Sequence, residues 1–197
     1  MSETVAILLA AGESRRMGQL KALLPWQGTS LLAHQVEALC EAGVDRVVVV
    51  LGHRAEELEP VVIGQPEVVC VVNPDYLKGK TTSIKTGVKS LRQGYADTLL
   101  LLNVDQPRAA DTIRKLLYQH HISSALITIP TYQGKGGHPI VLDASLIDEL
   151  LSIQEETLGL KAVTERHQDR VQRVEMDDPE VLWDLNTPEQ YREALSG

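Results

Sequence analysis

Cysteine is scarce in this chain, basic residues are outnumbered by acidic ones, and long apolar runs are missing. The two cysteines, Cys40 and Cys70, sit in apolar segments without CxxC spacing. That excludes a disulfide framework or a zinc ribbon and predicts buried free thiols in a reducing compartment. Lys and Arg number 19 against 27 Asp and Glu, a formal net charge of -8. Such a surface repels phosphate backbones and acidic lipids, so neither nucleic acid nor a membrane surface is an expected partner. No apolar stretch approaches the ~20 residues that cross a bilayer. The opening MSETVAILLAAG has no basic segment ahead of its short apolar run, so no signal peptide is expected and the predicted location is the cytoplasm.

The expected motifs of several enzyme classes are missing too. The loop after the first apolar strand has neither the GK[ST] of a Walker A motif nor the GxGxxG of a dinucleotide site, and no GxSxG elbow signals a Ser-His-Asp hydrolase. A Rossmann-type oxidoreductase loses ground on the same count. No pair of histidines has metal-ligand spacing. Linkers, repeats and low-complexity stretches are absent as well, so residues 1–197 are expected to form a single domain with one substantial core.

What is present is alternation. Continuous apolar runs (VAILLA, RVVVVLG, EVVCVVN, DTLLLLNVD, SALITIPTY, HPIVLD and DRVQRVEM) alternate with segments of helical spacing. In SLLAHQVEALCEAG the apolar residues Leu31, Leu32, Val36, Leu39 and Cys40 share one face. Thr29 or Ser30 offers an N-cap there, and Gly43 suits the left-handed C-terminal position. Helices are also predicted in RAEELEPVV and TTSIKTGVKSLRQG, over residues 110–121, 146–153 and 158–167, and from Pro188 onward. Strands that are apolar throughout, separated by helices, predict a mostly parallel sheet covered on both faces. Ligands of such folds sit beyond the carboxyl ends of the strands.

The residues at those ends carry chemistry. After the first strand, Ala10, Ala11 and Gly12 leave room for backbone N–H groups to approach a polyphosphate, while Arg16 and Lys21 can neutralise its charge. The alternative is a solvated basic turn. Asp105, in NVDQPR, leaves a buried strand next to a proline and is a natural carboxylate ligand for Mg²⁺, or else an Asp turn. In WDLNTPEQY, Asp184 and Asn186 lie on one side of an extended segment and can complete a metal's shell. Asn186 is equally a helix cap ahead of Pro188. Gly79, Thr81, Thr82 and Ser83 stand at a helix start and suit contacts to a nucleobase or ribose, or serve as caps. His138, after the glycine-rich loop QGKGG, and Lys135 within that loop are candidate acceptor contacts.

LLAAGESRRMGQLKALLPWQGTSLL resembles the signature of the nucleotidyltransferase family that includes molybdenum cofactor cytidylyltransferase and its guanylyltransferase relative. GKTTSIKTG, VDQP, GGHPIVL and DLNTPEQY resemble the family's further motifs in order, from about residue 5 to 194. The resemblance implies a three-layer α/β/α Rossmann-like fold with a mostly parallel mixed sheet. It implies a Mg²⁺-dependent transfer of NMP, with CTP the favoured donor, to a phosphate-bearing acceptor of molybdopterin type. A molybdenum hydroxylase is an implied partner. It places Leu9, Ala10, Ala11, Gly12, Arg16 and Lys21 at the nucleotide's phosphates, Thr82 and Ser83 near the base, and Asp105 on the metal. Asp184 or Asn186 supplies the second metal contact, and Arg16, Lys21 and Asp105 are the implied catalytic set. Two departures stand out. ETLGLK replaces the GDKG common before the penultimate helix, and Lys80 stands where a methionine is common. A non-catalytic nucleotide or cofactor carrier is the rival reading.

Overall fold

The structure, a computed structural model, describes residues 3–91, 96–157 and 159–196. The first strand, β1 (Thr4–Ala10), is buried along its whole length. Its alternate residues feed two cores: Ala6, Leu8 and Ala10 point to one face, Val5, Ile7 and Leu9 to the other. A strand covered on both sides must be apolar at every position, which is why VAILLA shows no alternation.

A two-strand ribbon, β2 (Pro25–Trp26) and β3 (Thr29–Ser30), leads into α1 (Leu31–Glu41). Of the two expected caps, Ser30 serves, its Oγ accepting from Ala33 N at 3.2 Å. Gly43 takes φ +89° just past the helix, as the C-terminal glycine should. The chain continues through β4 (Arg46–Leu51), α2 (Ala55–Val62), β5 (Val68–Val72), α3 (Lys80–Lys89) and β6 (Thr98–Asn103). The sequence predicts that α3 runs on to Gly94; residues 92–94 lie outside the described residues. Next come α4 (Ala110–His121), β7 (Ile127–Tyr132), β8 (Lys135–Gly136) and β9 (Ile140–Asp143). The last elements are α5 (Ile147–Ser152), α6 (Leu160–Arg166), β10 (Val171–Glu175) and α7 (Pro188–Ser196). Leu158, the expected start of α6, is outside the described residues.

The sheet order is β10-β7-β9-β6-β1-β4-β5, with β8 appended to β7. All its pairings are parallel except those of β9 and β8, so the sheet is mixed and mostly parallel. Helices α1, α2 and α4 pack with one core and α3, α5 and α6 with the other, giving three layers. Gly87, within α3, lets that helix lie close to the sheet: a Cβ there would come within 2.5 Å of Ile7 Cγ2. Winding reverses between β1 and β6, whose carboxyl ends lie side by side with Leu9 opposite Asn103. That switch point opens the crevice where α/β folds bind ligands.

Two expectations need correction. Cys40 and Cys70 are free but only half-buried; β5, which carries Cys70, is an edge strand with Val69 and Val72 exposed. Burial pushes both thiols' pKa up, so neither is an activated nucleophile. The QGKGG segment is not a free loop. Gln133 and Gly134 (φ 49° and 75°) form a tight hairpin turn from β7 to β8. Glu175 latches that turn, accepting from Thr131 Oγ1 and Gln133 N, both at 2.6 Å.

Candidate functional site

The loop after β1 sets the site's first wall. Ser14 adopts left-handed backbone (φ 55°), and its Oγ accepts from Lys21 N at 3.0 Å. This folds the arginine-bearing turn back so that Lys21 begins the next short turn, pointing inward. Lys21 is 9% exposed; its Nζ donates to Asp105 Oδ2 at 2.6 Å and to Asn186 Oδ1 at 2.8 Å. Arg16 Nη2 donates to the same Asn186 oxygen at 3.0 Å. Residues up to 170 positions apart therefore converge on one amide oxygen.

The far segments are held by side chains the sequence reading did not single out. Gln35, fully buried on α1, donates to the carbonyls of Asn103 and Gln106 and accepts from Arg108 N. It thereby pins the turn that presents Asp105. Arg108, 1% exposed, spends its guanidinium on four backbone carbonyls: Pro107, His138, Val181 and Trp183, at 2.7–3.1 Å. This one side chain joins the Asp105 turn, the β9 entry and the segment that carries Asp184 and Asn186. Leu185 N, donating to Asp105 O at 2.8 Å, completes the join. The cap of α7 is Thr187, whose Oγ1 accepts from Gln190 N. Asn186 is therefore no cap, and its side chain is free for Lys21 and Arg16. A signal for Gln35 was available: it is the polar residue amid the apolar face of α1.

A cavity of about 630 Å³ opens over these groups. Leu9, Ala10, Ala11 and Gly12 line it, as do Arg16, Lys21 and Ser83. Asp105, Asp184 and Asn186 line it too. No described atom lies within 4 Å of where a Cβ on Gly12 would be, so the backbone there is open to a ligand. Tyr76 and Leu77, not anticipated, add an apolar wall beside Ser83. Thr82 lines neither this cavity nor the second one described below; its Oγ1 accepts from Asn73 Nδ2 and donates to the carbonyls of the turn before α3. Ser83 Oγ also accepts from Asn73 Nδ2, at 2.9 Å, but Ser83 borders the nucleotide cavity and Thr82 does not, so the nucleotide contact expected at Thr82 has no position on that lining.

Among the described residues no cluster of three His, Cys, Asp or Glu could hold a metal by itself. Asp105 and Asp184 offer two carboxylates and Asn186 an amide oxygen to one cavity. The Asp184 carboxylate has no hydrogen-bond or ionic partner among the described residues. Hard oxygen donors, few in number, beside space for phosphate suit Mg²⁺, which keeps several waters and takes ligands from its substrate.

A second cavity, about 660 Å³, lies between α3, α6 and strands β7 and β9. His138 faces it; Lys135, exposed on the hairpin, lines neither cavity, so the acceptor contact expected there is not supported. The orientation of the His138 ring follows from its neighbours. Asn103 N and Nδ2 both donate to Gln106 Oε1, which turns the Gln106 amide nitrogen toward His138 Nδ1 at 3.1 Å. Nδ1 therefore accepts and Nε2 carries the proton. Burial, with the Lys80 and Arg108 charges behind it, pushes the His138 pKa down to about 3. It is a neutral donor rather than an acid or base at pH 7. The same shift has a stability consequence. Between about pH 6.5 and 3 the unfolded chain binds this proton and the fold does not, so stability falls as pH drops through that window. Burial lowers His34 and His120 in the same direction. The melting temperature is expected to fall steadily from pH 7 to 5, and less steeply in His138→Asn; parallel slopes would contradict this.

Residues 6–171 match the family of MobA-like NTP transferase domains. The molybdenum cofactor cytidylyltransferase of Escherichia coli K12 is 27% identical over 191 residues, covering 97% of this chain and 95% of that protein. The nicotine blue oxidoreductase of Paenarthrobacter nicotinovorans is 31% identical over 203 residues, covering 96% and 95%. Among solved structures, a nucleotidyl transferase from Methanothermobacter superposes with a TM-score of 0.82 at 25% identity, over 98% of this chain and 96% of that one. Rv0371c from Mycobacterium tuberculosis H37Rv gives a TM-score of 0.84 at 24% identity, over 100% and 99%. No helix among the described residues is long and apolar enough to cross a membrane.

Proposed function

The chain belongs to the family of MobA-like NTP transferase domains, and on that premise we propose that it transfers CMP from CTP to the phosphate of a molybdopterin-type acceptor, releasing pyrophosphate. The observation that carries this reading is the convergence of Arg16, Lys21, Asp105 and Asn186 in one cavity at the β1–β6 switch point. The backbone of Ala10 to Gly12 takes the triphosphate, Arg16 and Lys21 neutralise it, and Ser83 with Tyr76 and Leu77 borders the base. Asp105 and Asp184, with the Asn186 oxygen once Lys21 and Arg16 turn from it to the phosphates, would hold Mg²⁺, which would offset charge on the triphosphate oxygens.

Most of the rate then comes from positioning and charge. The acceptor phosphate, ionised at pH 7, attacks the α-phosphorus in line with the departing pyrophosphate, and no covalent enzyme intermediate is formed. A phosphate needs no general base, which agrees with a neutral His138. Lys21 stabilises the charge that builds on the transferring group. The body of the acceptor lies in the second cavity, where His138 Nε2–H can donate to it. A molybdenum hydroxylase is the partner that would receive the product.

The resemblance to an oxidoreductase at 31% identity gives a second reading, hydride transfer from a reduced nicotinamide. Two carboxylates in the nucleotide cavity speak against it, since they would face a second phosphate-rich ligand without need. One set of assays separates the readings: purified protein with Mg²⁺ and each of four NTPs, with and without molybdopterin, reading pyrophosphate, and in parallel NADH or NADPH oxidation. Pyrophosphate from CTP only when molybdopterin is present is the expected result. Nicotinamide oxidation without it would overturn the transferase, and CTP binding without turnover would make the protein a carrier.

A further inference from the structure

Lys80 is the one described residue that lines both cavities. It opens α3 directly after Gly79, whose backbone (φ 113°) turns the chain into the helix. A cation at a helix N-terminus faces the positive end of the backbone dipoles, an unfavourable place unless an anion joins it. No hydrogen bond or ion pair to a described residue holds its ammonium. Asp105, Asp184 and Glu155 act on it only from a distance, and water reaches it through the cavities. Glu155, the acid that lines the second cavity, is already committed, accepting from Thr81 N at 3.0 Å. Nucleotide charge has its own partners in Arg16 and Lys21, so Lys80 is left over at the boundary.

The rest of the second cavity shows what arrives there. Lys161 and Arg173 bring two further cations, His138 brings an N–H donor, and Ile84, Ile129 and Ile140 make an apolar floor. Such a lining fits an anion with a flat or apolar body rather than a sugar, which would ask for many polar partners.

We propose that Lys80 binds the attacking phosphate of the acceptor where the two cavities meet, so that this chain selects a phosphomonoester whose body occupies the second cavity. The proposal rests on the transferase reading above. In the step, an oxygen of the acceptor phosphate forms the bond to the α-phosphorus. The bond from that phosphorus to the bridging oxygen breaks, and pyrophosphate leaves with the electron pair. No proton has to move. Lys80 draws together two phosphates that otherwise repel, and is needed by the acceptor rather than by the nucleotide.

Lys80→Met tests this, since it keeps the length of the side chain and removes only a charge that the helix end does not favour. Two measurements are made: CTP affinity by calorimetry, and molybdopterin affinity from its pterin fluorescence without nucleotide. The expected result is molybdopterin binding weakened about 10–100-fold, as for loss of a charge-assisted contact, with CTP affinity within twofold. The salt dependence of molybdopterin binding should also flatten, and Lys80→Arg should restore most of the loss. Lys89→Gln, at the far end of α3, is the control and should change neither. Unchanged molybdopterin affinity in Lys80→Met, or an equal loss for CTP, overturns the assignment of Lys80. Absence of pyrophosphate release by the unaltered protein with molybdopterin and every NTP overturns the transferase reading instead.

Discussion

Lys21→Ala is expected to fold and to release pyrophosphate about 10²–10³-fold more slowly than the unaltered protein, and Asp105→Ala to do the same. Folding survives because the turn around Lys21 is held by its backbone: Lys21 N donates to Ser14 Oγ and Leu24 N to Lys21 O. The carboxylate left behind keeps 19% of its surface in contact with solvent, so it is hydrated rather than stranded. The rate suffers because an ammonium fixed before the reaction begins costs no reorganisation when charge develops, whereas water must reorient. The two losses should not multiply. Lys21 and Asp105 touch each other and act on the same triphosphate, so the double variant is expected to lose little beyond the worse single one. Mg²⁺ titration distinguishes their roles. Asp105→Asn should raise the Mg²⁺ needed for half-maximal rate at least about 10-fold, and Lys21→Ala should not. Steady-state kinetics with circular dichroism as the folding check reads all of this; a Lys21→Ala rate within threefold would remove the residue from the chemistry.

The parts of the site that were legible in the sequence are those whose meaning is local. Ala10 ends, and Ala11 and Gly12 follow, the apolar run VAILLA, and Asp105 lies just past another, LLLL, so both had to fall at a sheet's carboxyl end. The three-layer architecture follows from the same strands, because an unbroken apolar run such as VAILLA in β1 needs cover on both faces. What was not legible depends on distant partners. The exposure of β5 comes from its place at the sheet edge, and VVCVV reads like a central strand. The antiparallel direction of β9 comes from the tight turn and from Gly137, where a Cβ would sit 2.1 Å from Val181 O and collide with it. Thr82 and Ser83 look interchangeable in GKTTS, and both accept from Asn73 Nδ2, yet only Ser83 borders the nucleotide cavity while Thr82 also donates to the turn before α3. Gln35 acts on carbonyls 68 and 71 residues away and Arg108 on others 30, 73 and 75 away, and no local spacing announces such partners.

Arg108→Leu is expected to destabilise the fold by about 3–5 kcal/mol, because it leaves several backbone acceptors without their donor. The arithmetic is one of orphaned acceptors. The carbonyls of Pro107, His138 and Trp183 lose their guanidinium donors, while that of Val181 keeps a bond from His138 N at 3.0 Å. Three acceptors, one buried and two part-buried, at roughly 1–3 kcal/mol each, less what relaxation and water recover, reach that range. For a chain of this size the melting temperature should drop by roughly 6–20 °C. The charge itself is costly, since burial lowers the Arg108 pKa to about 10. The acids Glu180, Asp184 and Asp105 act on it from beyond hydrogen-bond distance. A neutral replacement therefore recovers some desolvation energy, which is why the expected loss is not larger. Arg108→Lys separates the two contributions: it keeps the charge and desolvation cost but reaches fewer carbonyls, so it should be no more stable than Arg108→Leu. If charge rather than the forked donors held the segments together, the lysine variant would instead melt near the unaltered protein. Below its melting point the leucine variant should also be slower, because the bonds to the Val181 and Trp183 carbonyls fix the segment that presents Asp184 and Asn186 to the nucleotide cavity.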